Sequence, residues 1–132
     1  WVSTGALFHI RIRCALENPQ PLTHPPLAAK VLESARIYET RARWALRVFL
    51  LMPDHLHALV SFPMQEAMTK VIASWKAFHA RANGVVWQEN FFDHRIRNEE
   101  QIDLKIDYIR MNPVVKGLCR TPDDWPWVLH NK

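Results

Sequence analysis

Two apolar runs, within WALRVFLLMPDH and LHALVSF, are separated only by Met52-Pro53-Asp54. No other feature of the chain restricts its fold so strongly. Both runs have strand length and composition, and a connection this tight joins strands only in antiparallel fashion. The chain is therefore expected to build its sheet around a hairpin, with Pro63 ending the second strand.

The flanking segments extend that sheet. ALFHIRIRC (residues 6–14) sets Phe8, Ile10 and Ile12 against His9, Arg11 and Arg13, which predicts a strand with one basic face. The Pro-rich ENPQPLTHPP reads as a connector. Leu27, Val31, Leu32 and Ala35 have helical spacing, and that helix runs to about Tyr38. EAMTKVIASWKAFHARANG predicts a second amphipathic helix with Met68, Ile72, Trp75 and Phe78 on one stripe and Gly84 as cap. Phe91 to Arg97 has strand composition. Asn98 then offers an N-cap, followed by Glu99 and Glu100 in the first turn of a third helix. That helix is expected to stop near Asn112, because Pro113 disfavours helical geometry at the residue before it. The tail RTPDDWPWVLHNK reads as irregular. The order β-α-β-β-α-β-α predicts an α+β, ferredoxin-like antiparallel sheet with helices mainly on one face. Residues 1–132 read as a single domain.

The hairpin also carries chemistry. Alternate residues of a strand point to one face, so His55 and His57 project together while Leu56 points into a core. Two neutral imidazoles on one face make half of a metal site. Taken alone, the pair reads first as two polar residues on the wet face of a half-buried strand, and only then as ligands. Asp54 is expected to face away from His55, as a turn residue or a group behind the ligands. Tyr108 and Asn112 are four residues apart and share a helix face. A phenol with a pKa of about 10 is a poor nucleophile at neutral pH, yet it suffices when a metal activates a phosphodiester. Each of these two also has a plain structural reading, as a core-edge aromatic and a helix-end amide. His94 reads as a solvated strand residue, His9 as a possible phosphate contact, and His24, His79 and His130 as incidental.

Net charge is +4, the pI is about 9.4, and arginine supplies most of the 17 basic residues, which suits a polyanionic partner. Two cysteines without C-x-x-C spacing argue against a thiolate zinc site or a disulfide scaffold. No apolar run reaches the ~18 residues of a membrane span, and no signal peptide is visible, so a cytoplasmic location is expected.

MPDHLHALV, WQENFFDHRIRNEEQ, YIRMNPVVKGL and DWPW, in that order, resemble successive signatures of the IS200-like tyrosine transposases, and most of all their REP-associated branch. The resemblance covers nearly the whole chain. It implies an HUH endonuclease: a divalent ion, Mg²⁺ or Mn²⁺, polarises a phosphate of single-stranded DNA, and a tyrosine attacks to leave a 5′-phosphotyrosine and a free 3′-OH. By the same resemblance His55 and His57 match the motif histidines, Tyr108 the nucleophile, and Asn112 a third metal ligand. DNA hairpins with single-stranded flanks become the expected substrate, Arg11 and Arg13 candidate DNA contacts, and a monomer or homodimer the expected state. Two rivals stand beside this reading. One is a catalytically idle DNA-binding domain of the same fold. The other is a metallohydrolase using water, which would need a general base and more anionic ligands than the sequence offers.

Overall fold

A computed structural model describes residues 6–64 and 67–131. In chain order these form β1 (Leu7–Arg13), α1 (Pro25–Thr40), β2 (Ala45–Leu51), β3 (His55–Ser61), α2 (Ala67–Asn83), β4 (Phe92–Ile96), α3 (Glu99–Val115), a 3₁₀ turn (Pro122–Asp124) and β5 (Val128–His130). All strands pair antiparallel in the order β4-β1-β3-β2-β5. The hairpin forms as expected, closed by Met52 N–H donating to the His55 carbonyl at 2.8 Å. Its turn is strapped from outside: Leu22 N–H donates to Pro53 O and Cys14 N–H to Asp54 O, at 2.8 and 2.9 Å.

Alternation along β1 and β3 divides the molecule into two layers. Phe8, Ile10, Ile12, Leu56 and Ala58 join Leu27, Val31 and Ala35 of α1 and Ile72 and Trp75 of α2 in the larger core. Leu7, Val48, Leu50, Leu59 and Ile96 form a smaller core on the other face, where Ile109 anchors α3. Two helices thus share one face, and α3 alone covers the face that carries the histidines. Among the described residues no helix is long and apolar enough to cross a membrane.

Three expectations about the elements are revised. The α3 helix runs through Pro113 to Val115. The proline sits in the last turn with its ring buried, and Lys116, Gly117 and Leu118 donate back to Asn112, Val114 and Pro113 at 2.8–3.1 Å. Burial and these bonds outweigh the local preference. The tail is not irregular. Trp125 Nε1 donates to Leu51 O, Leu51 N–H donates to Trp127 O, both at 2.9 Å, and β5 then pairs along β2. In α2 the buried stripe is Val71, Ile72, Trp75 and His79, while Phe78 is exposed; the expected start at Glu66 lies outside the described residues. Gly84, with φ of +69°, takes the left-handed position after the helix, as its role as cap requires.

His79 is not incidental either. It is fully buried: its Nε2 meets Ser34 Oγ at 2.7 Å and Asn83 Nδ2 meets its Nδ1 at 2.9 Å. Ser34 gives its own hydrogen to Val31 O, so it accepts from His79 and from Trp75 Nε1, and the imidazole is neutral with its proton on Nε2. Burial lowers its pKa to about 4. The folded value lies below the unfolded one of about 6.5, so the unfolded state binds the extra proton. This contribution is present above pH ~6.5 and is lost as pH falls toward 4, on the order of 3 kcal/mol for this residue alone. Urea unfolding at pH 7 and pH 4.5 should therefore show a steep loss in the wild type. The pH dependence should be visibly flatter in His79→Gln, even though that variant starts from lower stability.

Candidate active site

Three elements converge on the α3 side of the sheet. In β3, alternation points His55 and His57 toward α3, and both are buried, at 7% and 2% exposure. They are not wet surface residues. In β1, Arg13 stands across from His55 and Arg11 across from His57. On α3, Tyr108 and Asn112 lie one turn apart and face the same strands. Asn98 fixes where that helix starts, accepting from Gln101 N–H at 2.9 Å. Behind Tyr108, fully buried Ile109 fixes the helix's rotation.

The four candidate residues meet. His57 Nε2 is 3.3 Å from the Asn112 side-chain amide, and the Tyr108 ring stands edge-on to His57 at 6.1 Å between centroids. His55 and His57 rings are 4.9 Å apart and nearly perpendicular. Ligands in adjacent positions around a Mg²⁺ ion at ~2.1 Å lie about 3 Å from each other, so His57 Nε2 and the Asn112 amide are spaced to share one ion. A half-turn of the amide exchanges its nitrogen and oxygen, which differ little at this separation, and brings Oδ1 to the same place. His57 and Asn112, with the His55 ring beside them, thus offer donors of the kind a divalent metal takes. No three His, Cys, Asp or Glu side chains among the described residues are grouped to hold a metal ion. A metal held here would take two imidazoles and one amide from the chain and leave positions for water and phosphate.

Two partners differ from expectation, His9 in its role and Asp54, already a candidate for a group behind the ligands, in its direction. His9 is 4% exposed, and its Nε2 meets His57 Nδ1 at 2.9 Å. It is a buried neighbour of the site, not a phosphate contact. Asp54 does not face away: its Oδ1 accepts from His55 Nδ1 at 2.7 Å. Seeing either contact needs the β1–β3 register and the backbone path through the turn, neither of which alternation reveals.

The electrostatics keep the imidazoles neutral. Burial, then the neighbouring His55, His9 and arginines, lower His57 to about 3. Burial, then Lys105 and Arg11, lower His9 to about 4. His55 is also lowered by burial, against which the Asp54 carboxylate pulls upward. Asp54 itself is held below its usual value, chiefly by its bond to His55. Neutral imidazole is the ligand form.

Arg11, Arg13, His55, His57, Tyr108 and Asn112 line one cavity of about 860 Å³, with Leu104, Met111, Val115 and Leu118 as an apolar wall. Tyr108 is 52% exposed and lines this cavity. Lys105 Nζ lies 5.2 Å from the Tyr108 ring centre. The Arg11 guanidinium rests 4.9 Å over the exposed ring of Phe92. Tyr38 is elsewhere, bonded to Ser74 Oγ at 2.8 Å and packed on Trp44. His94 is exposed on β4, as expected. Cys14 is buried and packs as an apolar side chain.

The chain is similar over 104 residues, at 29% identity, to the REP-associated tyrosine transposase of Escherichia coli (strain K12); the match takes in 74% of this chain and 62% of that protein's length. Its fold superposes with a TM-score of 0.72 on a REP-associated tyrosine transposase solved bound to a REP hairpin, covering 97% of this chain and 78% of that one at 17% identity. The family model for IS200-like transposases matches residues 6–112, from the start of β1 to the amide that meets His57. Since that span holds every element of the cavity up to its last candidate ligand, the chain belongs to the IS200-like transposase family.

Proposed function

We propose that this domain cuts and rejoins single-stranded DNA beside a hairpin, with Tyr108 as nucleophile and Mg²⁺ or Mn²⁺ held by His55, His57 and Asn112. The observation that carries the reading is the meeting of an accessible phenol, two buried neutral histidines and an amide in one arginine-lined cavity. The likeness to REP-associated transposases, one of them bound to a REP hairpin, supports hairpin DNA as the substrate class. When bound, the ion would polarise the scissile phosphate and offset charge building on its oxygens. Arg11 and Arg13 would hold phosphates of the entering strand, and Tyr108 would be oriented by the turn of α3 that also presents Asn112. In the step itself the Tyr108 oxygen bonds to phosphorus as the bond to the 3′ oxygen breaks. The phenol loses its proton, the departing oxygen ends as a 3′-OH, and the 5′ side stays on the protein as a phosphotyrosine. Attack by a 3′-OH reverses the exchange without an energy source, because one phosphodiester is traded for another.

The test is a pool of hairpins with single-stranded flanks, labelled on the 3′ side of the flank and incubated with the protein and Mn²⁺. A shifted protein–DNA band on a denaturing gel is the expected result. Nicked DNA without an adduct would assign the attack to water, and tight hairpin binding with no cleavage would leave an idle binder.

Binding carries its own prediction. Affinity for such a hairpin should exceed that for blunt duplex, and should fall with salt at a log–log slope of about −0.7 per phosphate neutralised. Arg11→Ala and Arg13→Ala should each make the slope shallower by about that amount. Anisotropy titrations between 50 and 200 mM salt, roughly the range over which counterion release is read, will check this; slopes unchanged in both variants would remove the two arginines from the interface.

A further inference from the structure

We infer that His9 and Asp54 are positioning residues: each holds one motif histidine by its Nδ1, so that both rings present Nε2 to the same ion. The inference rests on the metal-site reading above and adds to it two residues outside the proposed ligand set.

Both rings are held by the same atom, from different sides. Asp54 Oδ1 meets His55 Nδ1 at 2.7 Å, and His9 Nε2 meets His57 Nδ1 at 2.9 Å. A neutral imidazole has one N–H and one lone pair. The Asp54 carboxylate only accepts, so the hydrogen of His55 is on Nδ1 and the lone pair on Nε2. On His57 the Nε2 faces the Asn112 amide at 3.3 Å; a His9 Nε2 that accepts from His57 Nδ1–H places the lone pair again on Nε2. The opposite tautomer would aim an N–H at the ion's position. Fixing the tautomer and the ring plane before the ion arrives removes that cost from binding.

A purely structural role explains His9 poorly. On its own face of the sheet His9 sits beside buried Leu7 and opposite buried Leu59, and is itself 4% exposed beside the Phe92 ring. An apolar side chain there would bury no polar atoms and would need no partner. The imidazole adds one thing that such a residue lacks, an acceptor aimed at His57. Asp54 is a still clearer case. Its side chain is 73% exposed, so it contributes little packing, yet it turns back onto His55.

The experiment titrates MnCl₂ by calorimetry into the wild type, His9→Phe, His9→Gln, Asp54→Ala and His57→Ala, with thermal unfolding recorded for each. His9→Phe keeps a ring in the space and deletes the acceptor, and Mn²⁺ affinity should fall about 10–100-fold. His9→Gln restores an amide oxygen and should recover most of it. Asp54→Ala should weaken Mn²⁺ several-fold with little change in melting temperature. In cleavage, the Mn²⁺ concentration for half-maximal rate should rise in step, while the rate at saturating Mn²⁺ stays within a few-fold. If His9→Phe and Asp54→Ala bind Mn²⁺ as the wild type does, the inference is overturned and the metal site stands. If the wild type takes up no Mn²⁺, or His57→Ala binds it equally well, the metal-site reading itself has failed. Should His9→Phe not fold, the exposed Asp54→Ala decides: wild-type Mn²⁺ affinity in that variant overturns the proposal.

Discussion

Tyr108→Phe will abolish hairpin cleavage and the covalent protein–DNA adduct together, a loss of roughly a thousand-fold or more, since removing the attacking atom leaves only substrate positioning. The substitution deletes one oxygen and keeps the ring that stands edge-on to His57 and His9. Tyr108 is 52% exposed, so the variant should fold, bind Mn²⁺ and bind the hairpin as the wild type does. The control is unusually clean because the chain has only two tyrosines. Tyr38→Phe loses the bond to Ser74, at a cost of about 1 kcal/mol of stability, and should cleave normally. Denaturing gels with 3′-side label read both outcomes at once. Residual cutting without adduct in Tyr108→Phe would move the chemistry to water.

His57→Ala should show the second-largest effect. It removes the ligand that faces Asn112 and leaves His9 without its partner. Mn²⁺ binding should fall at least a hundred-fold and cleavage should vanish, while hairpin affinity measured in EDTA should change by no more than about three-fold, because phosphate contacts dominate it. His57 is buried, so the variant also loses stability, about 2 kcal/mol for a vacated core position. Added Mn²⁺ separates the two effects. It should raise the melting temperature of the wild type by mass action and leave that of His57→Ala unmoved. Asn112→Ala should weaken Mn²⁺ only about ten-fold, since water replaces an amide oxygen readily. Calorimetry showing equal Mn²⁺ affinity in wild type and His57→Ala would reduce the histidine pair to a structural feature.

The local parts of this molecule were written in short-range patterns. Period-2 alternation in LFHIRIR and HLHALVS fixes which side chains leave which face of a strand, so the pairing of His55 with His57 and the opposition of Leu56 are properties of seven residues. Asn98 caps α3 through a bond to a residue three positions on. Tyr108 and Asn112 share a face because four residues make about one helical turn. None of these depends on the rest of the chain.

Tertiary structure decided what those faces meet. Alternation is unchanged by sliding one strand two residues along another, so only the packed sheet sets Arg11 against His57 and brings His9 within 2.9 Å of its ring. The burial of those histidines comes from α3, docked through Ile109 on the face the other two helices leave open. The same docking carries the helix through Pro113, since burial of the ring and three closing bonds outweigh a preference that acts on one residue. The fifth strand forms where Trp125 and Trp127 tie the tail to Leu51, more than seventy positions back, and Asn131 ties it to Arg47. A sequence states its periodicities directly. Register, layer and edge pairing are differences in free energy between arrangements of distant segments, and they are settled when those segments compete for the same surfaces.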